Sequence, residues 1–273
     1  MEQTVLAVSG LSVWDSLTGK LLVQDSSFEV KRGSCLAIIG ESGSGKSVTC
    51  RAVMRLNRQA LRQEGEIVLS GVNLSSLPEH ELRKKRGKQM CMILQHGMRA
   101  FDPSCVVGVH LRETMAEHLG LGREETTARL KRAMEAVLLK DPLAVMNQYP
   151  HQLSGGMLQR IMIALALVLE PELIIADEPT TALDAIAQYE VLEQFVRLRE
   201  RLDCSMLFVS HDLGAVRKVA DELLVMRHGE IVERGDLQEL MSGRRPVHPY
   251  TRELIDARQT LQRHFTQMMG GGS

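Results

Sequence analysis

The sequence predicts an α/β protein in which a buried, mostly parallel sheet is extended by a small antiparallel sheet and interrupted by a helical insertion. Short apolar stretches recur at Cys35–Ile39, Met90–Leu94, Leu173–Ala176, Ser205–Val209 and Glu222–Met226. Runs that are apolar throughout, rather than alternating, mark strands buried on both faces. The turn-separated stretches Val5–Val8, Leu21–Val23, Ser27–Val30 and Glu66–Leu69 read instead as antiparallel strands. Between Pro103 and Tyr149 the pattern changes to helices such as Val109–His118 and Glu124–Leu139, which mix charge with apolar spacing.

In chain order, the first chemical feature follows the strand Cys35–Ile39. Gly40-Glu41-Ser42-Gly43-Ser44-Gly45-Lys46-Ser47 has the spacing G-x-x-x-x-G-K-S. Its glycines let the backbone fold around an anion, and the helix beginning near Lys46 offers unpaired N–H groups and a positive dipole end. These residues, with Val48 behind them, are expected to cradle the phosphates of a nucleotide. Lys46 would reach the β- and γ-phosphates as a point charge, and the Ser47 hydroxyl suits Mg²⁺, which takes hard oxygen ligands.

Further along, Leu153-Ser154-Gly155-Gly156-Met157 precedes the apolar helix Leu158–Leu169, so Ser154 and the glycines occupy a helix N-terminus, which favours an anion. The strand Leu173–Ala176 then runs into Asp177-Glu178-Pro179. Adjacent parallel strands end on one edge of a sheet, which puts Asp177 beside the phosphate loop, where Mg²⁺ must be held. Glu178, one step further out, is placed to orient or partly deprotonate an attacking water. From Arg244 onward, Pro246 and His248-Pro249-Tyr250-Thr251 lead into a helical stretch Arg252–His264, and Gly270-Gly-Gly-Ser273 reads as a linker scar outside the fold. The organisation expected is one domain over residues 1–243, with a helical subdomain inserted at about 97–158, and a C-terminal extension over 244–273.

Composition narrows the classes of function. The 273 residues carry a net charge of −1, which gives no basic surface for nucleic acid or anionic lipid. The longest apolar run, Ile161–Leu169, falls short of the roughly 20 residues of a spanning helix. The N-terminus has no basic segment followed by an apolar one, so a cytosolic chain is expected. Five cysteines, Cys35, Cys50, Cys91, Cys105 and Cys204, lie without a C-x-x-C pair, which predicts reduced, mostly buried thiols rather than a metal site or disulfide framework. The basic run Arg83-Lys84-Lys85-Arg86 reads as a solvated helix face.

The phosphate loop, the Leu-Ser-Gly-Gly string and the Asp-Glu strand end together resemble those of ATP-binding-cassette ATPases, over nearly the whole chain. The resemblance implies a P-loop NTPase (RecA-like) core with the antiparallel and helical subdomains, and ATP with Mg²⁺ as cofactors. It implies that Ser154, Gly155 and Gly156 close over the γ-phosphate held by a partner subunit. The family's usual fifth residue there is Gln; Met157 removes that side chain but leaves the serine hydroxyl and backbone donors. Gln95, after the strand Met90–Leu94, matches the glutamine that senses Mg²⁺ and the attacking water and leads into the helical subdomain. Ala182-Leu183-Asp184 matches the loop that crosses the dimer interface. His211, followed by Asp212, matches the switch histidine that contacts the γ-phosphate. Trp14, the only tryptophan, stands where the family stacks an aromatic ring on adenine; a partly buried core tryptophan is the other reading.

Tyr149-Pro-His-Gln152, Gln95-His-Gly-Met-Arg-Ala-Phe-Asp102-Pro103 and His248-Pro-Tyr-Thr251 look like the peptide and nickel importer branch. Gly45–Cys50, Ser154–Arg160 and Ile175–Thr181 with Ala187-Gln188 are similar to nickel importer ATPase subunits. Many peptide importer subunits bind an iron–sulfur centre through a C-terminal cysteine cluster, and no cysteine follows Cys204. The implied role is the ATP-hydrolysing subunit of a bacterial importer at the cytoplasmic face of the membrane. It would pair with a related, distinct ATPase subunit beneath two permeases, with an extracytoplasmic solute-binding protein choosing the solute. Nickel or a related transition metal, free or chelated, is the favoured solute; di- or oligopeptide import is the alternative. A non-transport cassette acting on DNA or the ribosome would carry coiled-coil insertions, zinc modules or a second cassette, and none is visible. A metal-binding role of the chain itself lacks His or Cys at ligand spacing.

Overall fold

The computed structural model describes residues 3–257 except 96, 182 and 243–246. The expected linker scar at 270–273, and the expected helical stretch beyond residue 257, lie outside the described residues; the helix that precedes them covers 249–257.

The chain opens with the hairpin β1 (Thr4–Asp15) and β2 (Leu21–Lys31), passes through β3 (Cys35–Ile39) and α1 (Lys46–Val53), and returns along β4 (Leu61–Leu69) and β5 (Val72–Asn73). Strands β2-β1-β4-β5 form an antiparallel sheet. The two stretches expected at Leu21–Val23 and Ser27–Val30 are one strand. The polar residues between them are absorbed by an irregularity in the β1–β2 ladder, where Asp25 takes φ 40° and its N–H is satisfied by Ser12 Oγ at 3.0 Å. Such bulges add twist without ending a strand. β4 starts five residues before Glu66, because polar Arg62, Gln63 and Glu64 pair with Trp14, Val13 and Ser12.

After α2 (Glu79–Lys85) comes β6 (Met90–Ile93), then the helices α3 (Val107–Leu119), α4 (Arg123–Ala136), α5 (Pro142–Met146) and α6 (Gly155–Leu169). The chain continues through β7 (Leu173–Asp177), α7 (Ala185–Leu202), β8 (Ser205–Val209), α8 (Leu213–Val219), β9 (Glu222–Arg227), β10 (Glu230–Asp236) and α9 (Leu237–Ser242). The second sheet has the order β10-β9-β3-β8-β7-β6 and is parallel from β9 to β6. β10 was not expected: its charged residues form an antiparallel edge strand, turned back on β9 by His228 and Gly229 at φ 50° and 86°. Two successive positive φ values are what a tight hairpin turn requires.

Every residue of β3, β7 and β8 is buried. One apolar core joins the antiparallel sheet and α1 to one face of the parallel sheet. A second fills the other face beneath α3 to α7, where Phe195 and Phe208 meet edge to face at 5.8 Å. Each such buried side chain contributes about 1.5–3 kcal/mol. A third, smaller core joins β3 and β9 to α8, α9 and residues 249–257.

The basic run differs from its expected solvated face. Arg83 is exposed, but Arg86 folds inward and donates to the carbonyls of Met54 and Arg55, each at 3.0 Å, as well as to Glu79. Cys35, Cys50 and Cys204 are buried and Cys91 and Cys105 partly so. Burial pushes the Cys91 thiol up to about 12 and that of Cys204 up to about 11, so these side chains act as small hydrophobes.

Candidate active site

The phosphate loop connects β3 to α1 as expected from its glycines. A Cβ on Gly40 would stand 2.2 Å from the Met226 carbonyl oxygen, and one on Gly45, at φ 105°, 2.9 Å from that of Leu22. Only glycine fits such approaches. Glu41, Ser42 and Gly43 face solvent, Val48 is half-buried, and Ser44, Gly45 and Lys46 are buried. Lys46 Nζ donates to the carbonyls of Gly40 at 3.1 Å and Glu41 at 2.8 Å. Ser44 Oγ is buried without a hydrogen-bond partner. A buried hydroxyl and an ammonium curled under an open loop are a donor set that suits phosphate oxygens.

At the base of the loop, Ser47 Oγ donates to Asp177 Oδ1 at 2.7 Å. β7 carries Asp177 to this edge, one strand removed from β3 in the sheet. Asp177 is 7% exposed, and burial raises its pKa, an effect that the Ser47 hydrogen bond opposes. A hydroxyl and a carboxylate oxygen side by side fit a hard divalent cation such as Mg²⁺.

Glu178 follows at φ 47°, a left-handed conformation that non-glycine residues seldom adopt and that gathers at functional sites. Its backbone N–H is held by the Val209 carbonyl at 3.0 Å. Its Oε2 accepts from Gln95 Nε2 at 3.1 Å and Thr181 Oγ1 at 3.0 Å, and lies 3.4 Å from His211 Nδ1. Gln95, Glu178 and His211, named separately from the sequence, thus converge on one oxygen. Thr181 is a fourth member that sequence reasoning passed over, although it ends the stretch Ile175–Thr181. Gln95 is itself anchored: Gln159 of α6 donates through Nε2 to the carbonyls of Leu94 at 2.9 Å and Gln95 at 3.2 Å. Nothing in the sequence singles out Gln159 beyond its place three residues after Gly156.

Of the remaining expected residues, Ser154 and Asp184 stand at two adjoining helix N-termini. Ser154 is exposed and caps α6, its hydroxyl accepting from Met157 N–H at 3.2 Å. Asp184 caps α7, accepting from Ala187 N–H at 2.9 Å. The two caps adjoin: a Cβ on Gly155 would lie 3.2 Å from Leu183 Cδ2, and one on Gly156 3.2 Å from Ala187 Cβ. Ala182 lies outside the described residues. Beside the caps, Ile186 and Tyr189 are 74% and 61% exposed. Asp212 caps α8 and accepts from Gln188 Nε2 of α7 at 2.6 Å, which links α7 to the His211 turn. Trp14 is half-buried at the end of β1, paired with Leu21, and the neighbouring Leu22 borders Gly45.

This geometry agrees with what the chain is similar to. A family profile described as ABC transporter matches residues 23–181. The chain is 46% identical to the metal-staphylopine import system ATP-binding protein CntD of Staphylococcus aureus, over 98% of both lengths. It is 41% identical to the dipeptide transport ATP-binding protein DppD of Lactococcus lactis, over 95% of this chain and 75% of that relative. Among solved structures, it superposes on the ATP-binding subunit of an ABC transporter with TM-score 0.71 and 26% identity, covering 93% of this chain and 99% of the other. A dimeric ATP-binding cassette bound to ADP and Pi gives TM-score 0.75 at 24% identity, over 85% and 98%. The chain therefore belongs to the ABC transporter family, and within it is the ATP-hydrolysing subunit of an importer.

Proposed function

We propose that this chain powers uptake of a transition metal, nickel or a close relative, carried as a complex with a small organic chelator. The observation that carries this reading is the 46% identity, end to end, with a subunit named for metal-staphylopine import. The dipeptide relative matches at 41% and is longer than the region matched, which keeps peptide import as the second reading. The chain does not touch its solute, so its sequence reports lineage, and the solute is chosen elsewhere in the assembly.

In the proposed mechanism, Lys46, Ser44 and the loop amides bind the phosphates of ATP; Ser47 and Asp177 would hold Mg²⁺, which when bound would supply positive charge against the phosphoryl group. Glu178 orients and partly deprotonates the attacking water; Gln95, Thr181 and His211 fix its carboxylate. The exposed Ser154 and Gly155, with buried Gly156 behind them, meet the γ-phosphate on a second, related ATPase subunit, with Asp184 crossing the interface and Trp14 stacking on adenine. The apolar surface of Ile186 and Tyr189 beside these caps supports such pairing. A cavity of about 130 Å³ between β6 and the inserted helices, lined by Ile93, Phe101, Leu111, Met162 and Leu169 among others, suits a segment of a permease at the cytoplasmic face of the membrane. Among the described residues no helix is long and apolar enough to cross a membrane itself. Nucleotide contacts made by both subunits exist only in the closed pair, so ATP biases a two-state assembly.

The test is uptake. A strain lacking this chain should accumulate less radiolabelled nickel, supplied with and without a chelator, and grow normally on peptides as sole nitrogen source. Unchanged metal uptake with lost growth on peptides would select the second reading.

A further inference from the structure

The string His248-Pro249-Tyr250-Thr251 lies beyond the residues matched by the family profile, and the chemistry above gives it no task. Its tyrosine is nonetheless buried, at 4% exposure. The Tyr250 hydroxyl oxygen accepts a hydrogen bond of 3.1 Å from the backbone N–H of Glu41, the residue that follows Gly40 in the phosphate loop. The Arg227 guanidinium lies 4.6 Å from the Tyr250 ring centroid, and the Tyr250 N–H donates to His248 Nδ1 at 3.2 Å. Behind the ring, Leu254 and Ile255 pack in the same core as Ala37 and Ile39 of β3 and Val216 of α8. The segment thus braces the strand that enters the loop and the helix that follows His211.

We propose that Tyr250 is a positioning residue for nucleotide binding: its hydroxyl anchors the outer half of the phosphate loop, so that residues 247–257 set ATP affinity from outside the site. This rests on reading the loop as the phosphate cradle. The Glu41 peptide is held at both ends, its N–H by Tyr250 and its carbonyl by Lys46 Nζ at 2.8 Å and the Ser44 N–H at 3.2 Å. Lys46 is also the cation that must turn toward the phosphates, and its hold on the Glu41 carbonyl is then shared. The Tyr250 bond is independent of that movement. It therefore carries a larger part of the loop's order with nucleotide bound than without, and its loss weakens binding rather than folding alone. A loop ordered in advance spares the ligand the entropy of ordering it.

Tyr250→Phe isolates the hydroxyl, because the ring keeps its packing and its Arg227 neighbour while the Glu41 N–H loses its acceptor. In the full chain, ATP affinity measured by calorimetry should fall severalfold, with about tenfold, the worth of one such hydrogen bond, as the ceiling because the bond is already made without nucleotide. Amide hydrogen exchange in the peptide containing Glu41 should quicken, with the melting temperature little changed. Affinity and exchange equal to the wild type would overturn the proposal, and so would a lower melting temperature with unchanged affinity, which would make Tyr250 a packing residue. Lys46→Ala is measured alongside. If it binds ATP normally, the loop reading itself fails and the Tyr250 role with it; if it loses binding while Tyr250→Phe does not, the Tyr250 role alone fails.

Discussion

Glu178 holds a backbone conformation that costs about 1–3 kcal/mol for most side chains, and its carboxylate is met by Gln95, Thr181 and His211. A residue strained and so surrounded is built for geometry rather than stability. Glu178→Gln should keep ATP binding and lower single-turnover hydrolysis by roughly a hundredfold or more, the scale of a lost general base. Near-normal turnover would remove Glu178 from that role. Lys46→Ala should act earlier, weakening nucleotide binding itself. Asp177 adds a dependence on pH. Its pKa is raised by burial, so the folded chain holds this proton more tightly than the unfolded one. Stability of the nucleotide-free chain therefore falls as pH rises from the unfolded value through the raised one. Asp177→Asn should flatten that slope and melt a few degrees higher at neutral pH, while losing Mg²⁺-dependent nucleotide binding. A lower melting temperature at neutral pH would contradict it.

Among the elements, α6 connects two parts of the proposed site. Its first turn presents Ser154, and Gln159 on its second holds the backbone of Gln95. Ser154→Arg should leave ATP binding by the isolated chain almost intact yet abolish hydrolysis at one site of the assembled pair. Loss of the cap should also cost about 1 kcal/mol of stability. A matching loss of ATP affinity in the monomer would place Ser154 in its own chain's site. The uneven legibility of the sequence has its cause at this scale. β3 and β8 were readable to the residue because both faces are buried and the run is wholly apolar. The phosphate loop and the Asp177-Glu178 end were readable because their chemistry is contiguous. β10 and the first half of β4 were not, since edge strands rich in charge carry no apolar period and are held by their neighbours. Gln159 and Tyr250 make their contacts across the fold, which spacing along the chain does not reveal, whereas Thr181 meets Glu178 only three residues away, through a turn whose side-chain directions the string does not give.

In the whole molecule, the loop, Asp177 and Glu178 lie on one sheet edge, whereas Ser154 and Asp184 cap helices on a surface that also exposes Ile186 and Tyr189. One chain thus carries the proposed phosphate cradle and also the helix cap proposed to complete a second one. This arrangement predicts that the isolated chain binds ATP but turns it over slowly, and that hydrolysis rises when the related ATPase subunit is added. It also predicts an ATP-dependent pair. Glu178→Gln retains the γ-phosphate that both subunits contact, so the variant mixed with its partner and ATP should elute from size exclusion at the mass of a pair, and with ADP at the mass of the separate subunits. Introducing Ser154→Arg into the same chain should lower the stability of that pair by removing one of its two nucleotide bridges, leaving the bridge whose phosphates this chain's own Lys46 binds. Pairing equally strong with ADP would mean that the apolar surface alone holds the subunits together, and that the γ-phosphate does not drive closure.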